Sequence, residues 1–381
     1  MNIKLFRLSD VKLDLETIKK DEAYINELND ALFDNDYTLD AHARTYLFGV
    51  LFVESDQYIN SFKKIKDKLT NPVLILVGKG RKAFKGALEV NAKLMLEGYH
   101  PLIVKGGEKE DSSLISEVSK VMIAKNKIVD SNIAIIGNSS EKRINDKSEN
   151  GELSKKFNFN IIKIGNLELE DAVEKAKLSN LPHKLVLSKK FTHSDYVTFN
   201  KLYNALMSLV DKYKLSGIAL NVDYDEHFLY PLASLLNEKG ISLILENDLH
   251  GLFSLMLLNA LNDSIAIYAD IVNIDLEKSD LVLASSSVPF SFINNTGALD
   301  KGDITMLRFG YDNKHFLALN GKITSSSLVN NEVEIVVHLE ERDVFELFRE
   351  AIGGTLAFSY GDSVANIFAY DSIIYFDNNN N

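Results

Sequence analysis

The chain has 381 residues, 46% of them hydrophobic and 25% charged, with a formal charge of −12 and no cysteine. That length is too great for one ordinary core and the composition is that of a folded globular protein, so two or three domains are expected. The acidic balance argues against a nucleic-acid partner, which demands a basic face. The missing cysteines exclude disulfides, thiolate nucleophiles and cysteine-ligated zinc, as in a reducing compartment.

The N-terminus, Met1 to Arg7, breaks into charge at once and does not read as a secretory signal. Residues 1–70 read mainly as a helical segment with charged faces. From Asn71 the texture changes. Val73-Leu74-Ile75-Leu76-Val77 is a short apolar run ending in glycine, followed by a helical pattern from Gly86 to Glu97. Pro101 to Val104, Asn132 to Gly137 and Asn160 to Ile164 repeat the theme. Apolar runs alternating with amphipathic helices predict a parallel sheet covered on both faces.

A linking helix is expected from Leu167, its Glu168, Glu170 and Asp171 suiting the positive end of the helix dipole. A second α/β unit follows, with helices from Ser194, Glu226 and Asp248 and strands at Gly217 to Leu220, Ile241 to Leu245 and Ser264 to Tyr268. The longest apolar stretch, Leu252 to Leu261, is interrupted by Ser254 and Asn259 and is too short to cross a bilayer. A cytoplasmic protein without a membrane partner is expected. After Asp280 the period shifts towards two, through Ile304 to Phe309, His315 to Leu319 and Glu332 to Leu339, with Asn320-Gly321 as a hairpin turn. A helix from Arg342 to Ile352 should stop at Gly353-Gly354. The expected fold is α/β: two Rossmann-like parallel-sheet α/β domains, at 71–166 and 167–290, plus a C-terminal mostly-β, barrel-like module at 291–381.

Two predicted strands run into acids. Ile241 to Leu245 leads into Glu246-Asn247-Asp248, and Ile265 to Tyr268 into Ala269-Asp270. One helix separates them, so the segment reads as a right-handed βαβ crossover. If the strands are neighbours, about 4.8 Å apart, Glu246 and Asp270 share the carboxyl edge where open α/β sheets bind ligands. Two close carboxylates hold a divalent cation or share a proton as an acid/base pair. The competing explanation is capping: acids after strands commonly cap the next helix, and Asp248 is placed to do so.

Gly217 to Pro289 resembles the core of the L-fucose isomerase-like family. The resemblance is carried by Leu232-Ala233-Ser234-Leu235-Leu236-Asn237, by Glu246-Asn247-Asp248-Leu249-His250-Gly251, and by Asp270, twenty-four residues after Glu246. Gly302 to Arg308 and Tyr360-Gly361-Asp362 resemble later family elements. The resemblance implies a metal-dependent aldose–ketose isomerase acting on a sugar through an enediolate, with Glu246 and Asp270 as both catalytic residues and ligands of Mn²⁺ or another divalent ion. It also implies a homo-oligomer, trimer or hexamer. The chain departs from the family where its third ligand, a histidine, would precede Tyr360: the segment reads Gly353-Gly354-Thr355-Leu356-Ala357-Phe358-Ser359. The histidine expected ahead of Pro289 is also absent. The other reading is therefore a non-catalytic sugar-binding or regulatory protein on the same scaffold.

Three further features have ordinary explanations. His250 reads as a first-turn helix residue and His227 as an exposed helix start. Gly78-Lys79-Gly80-Arg81-Lys82 is a basic turn at a helix start, able in principle to hold an anion, and expected to be solvated.

Overall fold

The computed structural model describes residues 1–71, 73–104, 108–137, 149–181, 192–262, 265–293, 298–310, 316–329, 332–349 and 353–361. Two compact units divide the chain after Asn126.

The first unit is a doubly wound α/β layer. Its strands are β1 (Asn2–Leu8), β2 (Thr38–Asp40), β3 (Gly49–Val53), β4 (Val73–Val77) and β5 (Pro101–Val104), all parallel, in the order β2-β1-β3-β4-β5. β3 and β4 are buried along their whole length, as continuous apolar strands covered on both faces must be. Helices α1 (Leu15–Phe33), α2 (Ile59–Ile65) and α3 (Ala83–Leu96) connect them, and α4 (Glu108–Ile128) follows β5. Asp14 caps α1, accepting from the Thr17 amide at 2.8 Å. Residues 1–70, expected to be mainly helical, thus also supply three strands. Leu5 to Leu8 and Gly49 to Val53 lack helical spacing, and the short β2 carries little pattern of its own.

The second unit begins with β6 (Asn132–Gly137), α5 (Glu149–Phe157), β7 (Asn160–Ile164) and α6 (Asn166–Lys175). It continues through α7 (His193–Tyr213), β8 (Leu215–Asn221), α8 (Glu226–Glu238), β9 (Ser242–Ile244) and α9 (Leu249–Asn262). Its parallel sheet runs β7-β6-β8-β9. Thr192 and Asp195 close a capping box at the start of α7. Glu168 lies in the first turn of α6, as expected, and also accepts from Lys212 and Tyr213 of α7, each at 2.7 Å.

The remaining strands are β10 (Ile267–Asp275), β11 (Asp280–Ser285), β12 (Gly302–Phe309), β13 (Phe316–Val329) and β14 (Glu332–His338), followed by α10 (Glu341–Arg349) and β15 (Thr355–Tyr360). The six strands close into an antiparallel barrel in the order β10-β11-β14-β13-β12-β15. Parallel-sheet α/β regions and a β-rich C-terminal module are therefore the architecture, as expected. The strands of 71–166 are shared, however: β4 and β5 lie in the first sheet, β6 and β7 in the second. The expected hairpin turn at Asn320-Gly321 is not formed. Both residues lie inside β13, opposite Thr305 and Ile304. A β-carbon on Gly321 would come within 2.5 Å of Val337 on β14, so this glycine permits close packing within the barrel. Gly353, expected to stop the helix of α10, has the positive φ of 76° that a glycine cap uses, whereas residues 350–352 and the Asp362 of the Tyr-Gly-Asp segment lie outside those described.

α9 explains how sheet and barrel meet. Eleven of its residues are buried, including Leu249 to Leu258 without interruption. A helix apolar all round must be covered all round, and α9 contacts β8 and β9 on one side and β12 and β15 on the other. Among the described residues, no helix is long and apolar enough to cross a membrane.

Candidate functional site

The segment that leaves β9 carries Glu246, half-buried, before Asp248 begins α9. Asp248 caps that helix as expected: its Oδ1 accepts from the Gly251 amide at 3.0 Å. Its second oxygen does more. Oδ2 lies 2.8 Å from an Arg308 guanidinium nitrogen, with the arginine side chain fully buried and that of Asp248 1% exposed. The Tyr268 hydroxyl donates to the same oxygen at 2.8 Å, and the Thr355 hydroxyl lies 3.2 Å from it and 2.9 Å from the Tyr268 oxygen. A buried charge pair is tolerable only when its remaining hydrogen-bonding capacity is used, and here one carboxylate gathers groups from α9, β10, β12 and β15. Burial would raise the Asp248 carboxyl, but the Arg308 charge, the Gly251 amide and the Tyr268 hydroxyl outweigh it and hold it below the ordinary aspartate range. Burial first, and the Asp248 charge second, push the Tyr268 phenol well above its usual range, so it remains a neutral donor.

Gly251 makes the approach possible. A β-carbon there would lie 2.5 Å from an Arg308 nitrogen and 2.6 Å from the Tyr268 oxygen. Ser254, one turn on, accepts from the Phe309 amide at 2.8 Å and donates to the His250 carbonyl at 2.7 Å. His250 is in the first turn of α9 as expected but is buried, stacked on Phe309 with ring centroids 5.8 Å apart. None of Arg308, Tyr268 and Thr355 was singled out by pattern. Arg308 offered the signal: an arginine in the apolar run Ile304-Thr305-Met306-Leu307-Arg308-Phe309 requires a buried acid somewhere.

The predicted pair, Glu246 and Asp270, does not lie on adjacent parallel strands. β9 forms the edge of the parallel sheet, whereas β10 belongs to the barrel and runs antiparallel to β11 and β15. Asp270 is exposed in mid-strand, opposite Ala284 and Thr355. No βαβ crossover forms between them: β9 is only three residues long, and the next strand finds its hydrogen-bonding partners in the barrel. The two segments still meet. Side chains two apart on a strand share a face, so Asp270 stands beside Tyr268, whose hydroxyl holds Asp248, two residues from Glu246. Thr355, the cross-strand neighbour of Asp270, touches the same Asp248 oxygen. Among the described residues, no group of three or more histidine, cysteine, aspartate or glutamate side chains is placed to hold a metal ion. What the segments offer is two carboxylates. That donor set suits an oxygen-preferring divalent ion, of the Mg²⁺ or Mn²⁺ type, that retains most of its water.

The other sequence candidates are explained locally. His227 is an exposed helix start with its ring against the capping Asp225. In the Gly78–Lys82 turn the Gly78 amide donates to the Val53 carbonyl at 2.9 Å and the Lys79 amide to Asp21 at 2.6 Å. Lys82 sits 3.5 Å from Asp56, and the Lys79 ammonium lies 3.8 Å from the centre of the Tyr24 ring. Two amides and two of the three cations of this turn are thus engaged within the protein. No family model matches the chain, and no curated protein matches it.

Proposed function

We propose that this protein is an aldose–ketose sugar isomerase of the L-fucose isomerase kind, with Glu246 and Asp270 as its proton-carrying carboxylates. The observation that carries this reading is the Asp248–Tyr268 hydrogen bond of 2.8 Å, reinforced by Thr355, which ties the segment bearing Glu246 to the strand bearing Asp270. A rigid buried support under two acids is what a proton-transfer site needs. One carboxylate would take the proton from the carbon next to the sugar carbonyl while the other moves the hydroxyl proton. A divalent ion of the Mn²⁺ or Mg²⁺ type, held by the same two carboxylates, would supply polarisation of the carbonyl. The site would work in a homo-oligomer, the sugar being the only small-molecule partner required.

One observation favours a second reading, sugar binding without turnover: neither Gly353 to Ser359 nor Ala284 to Pro289 carries the histidine that the resembled family has there. The two are separated by incubating the chain with Mn²⁺ and a panel of aldoses in heavy water. The isomerase reading expects solvent deuterium at carbon 2, lost by at least about a hundredfold in Glu246→Gln and in Asp270→Asn. Undiminished exchange in either variant removes that residue from its role. Sugar binding by calorimetry with no exchange leaves the non-catalytic reading.

A further inference from the structure

The second unit contains a cleft of about 600 Å³, within the size range of small-molecule sites. It is not where the two carboxylates are. Its walls include Ser216 and Ser242, at the amino-terminal ends of β8 and β9. Glu246 follows the carboxyl end of β9, roughly 10 Å away along a three-residue strand.

The walls of the cleft are specific in their chemistry. Ser216 is the extra residue of a β-bulge: Leu215 pairs with Asn132 and Gly217 with Ile133, leaving Ser216 unmatched. Bulges re-aim side chains, and this hydroxyl has no hydrogen-bond partner among the described residues. The Ser242 hydroxyl accepts from Asn259 at 2.9 Å and keeps its own proton to give. Met256 forms part of an apolar floor with Ile265, and a β-carbon on Gly217 would lie 2.6 Å from the Met256 sulfur, so the glycine seats that floor.

Charge of both signs lines the rim, from Lys127, Glu238 and Lys239. Glu238 is oriented by the Ser291 amide, which donates to one of its oxygens at 2.7 Å. Lys239, beside it, has no carboxylate partner among the described residues; its ammonium lies 5.6 Å from the Tyr203 ring centre. Residues from the last turns of α4, α8 and α9 line the cleft. Helix carboxyl ends carry partial negative charge, which attracts an ammonium group. Among the described residues, no aromatic ring lines the cleft to stack a nucleobase or a sugar face.

We infer that this cleft is a second small-molecule site, which takes a free α-amino acid with an aliphatic side chain. Glu238 and the helix ends receive the ammonium, Lys239 the carboxylate, the serine hydroxyls complete the polar contacts, and the Met256–Ile265 floor receives the side chain. The test is calorimetric titration of the full chain with L-leucine, beside isopentylamine and 4-methylpentanoate, which keep one charge each. Saturable leucine binding is expected, with each analogue weaker by at least about tenfold. Ala260→Trp, which fills the cleft, should abolish it. Lys239→Met, an exposed change that leaves the fold intact, should weaken leucine by about the same factor while sparing isopentylamine. No saturable leucine binding, equal binding of the analogues, or leucine binding unchanged in Lys239→Met overturns the assignment.

Discussion

Arg308 is fully buried in an apolar strand, and its neutrality towards the fold depends on Asp248. Removing one partner of such a pair leaves a bare buried charge, whereas replacing both with apolar groups is often harmless. Arg308→Met should therefore lower stability by about 3–5 kcal/mol, and Asp248→Leu combined with it should recover much of that loss, measured as denaturant midpoints. A double variant no more stable than the single one would show that the pair is not coupled. The pH dependence has a definite sign. The folded Asp248 carboxyl titrates below its ordinary value of 3.8, so its contribution is complete above that pH. It is lost as acid carries the solution down through the folded value. Wild type should show this acid loss, and the double variant should show less of it.

At the level of elements, α9 is the piece around which the second unit is assembled. Its polar residues are few and serve to join neighbours. Ser254 meets the end of β12, and Asn259 holds Ser242 and the Ala266 amide. Its Phe253 is fully buried, with ring centroids 4.2 Å from Phe157 of α5 and 5.7 Å from Phe309 of β12. Phe253→Ala should cost about 3–5 kcal/mol in a denaturant titration. Phe345→Ala on α10, where the side chain is 53% exposed, should change stability by no more than about 0.5 kcal/mol. Equal costs would mean that α9 is not the central layer. The apolar character of α9 was legible in Leu249 to Leu261, as was its cap at Asp248. Asn320-Gly321 misled because its dipeptide preference is local, while the need for a glycine there arises from Val337 on another strand.

For the whole molecule, the division between sheets has a consequence for fragments. Residues 1–126 contain the entire β2-β1-β3-β4-β5 layer, with β5 as its edge. Extension to residue 166 adds β6 and β7 without β8, leaving one side of β6 unpaired. An unpaired apolar strand is an aggregation hazard. The shorter fragment should unfold cooperatively, and the longer should show unprotected Ile133 to Ile136 amides in hydrogen exchange. Protection of those amides equal to that in the full chain would contradict the sheet division.

Alternation of apolar strands with helices, and the shift to a two-residue period after Asp280, were enough to give the fold class, because burial on two faces or one is written into a strand's own residues. The sequence also supplied Glu246, Asp248 and Asp270 as acids following apolar runs. Tertiary structure alone decided which sheet each strand joined, since a strand's period reports the faces it buries and not the neighbour that takes its hydrogen bonds. It likewise decided that Asp248 meets Arg308, Tyr268 and Thr355. Those contacts span twenty to more than a hundred residues, and no local pattern encodes a partner at that distance.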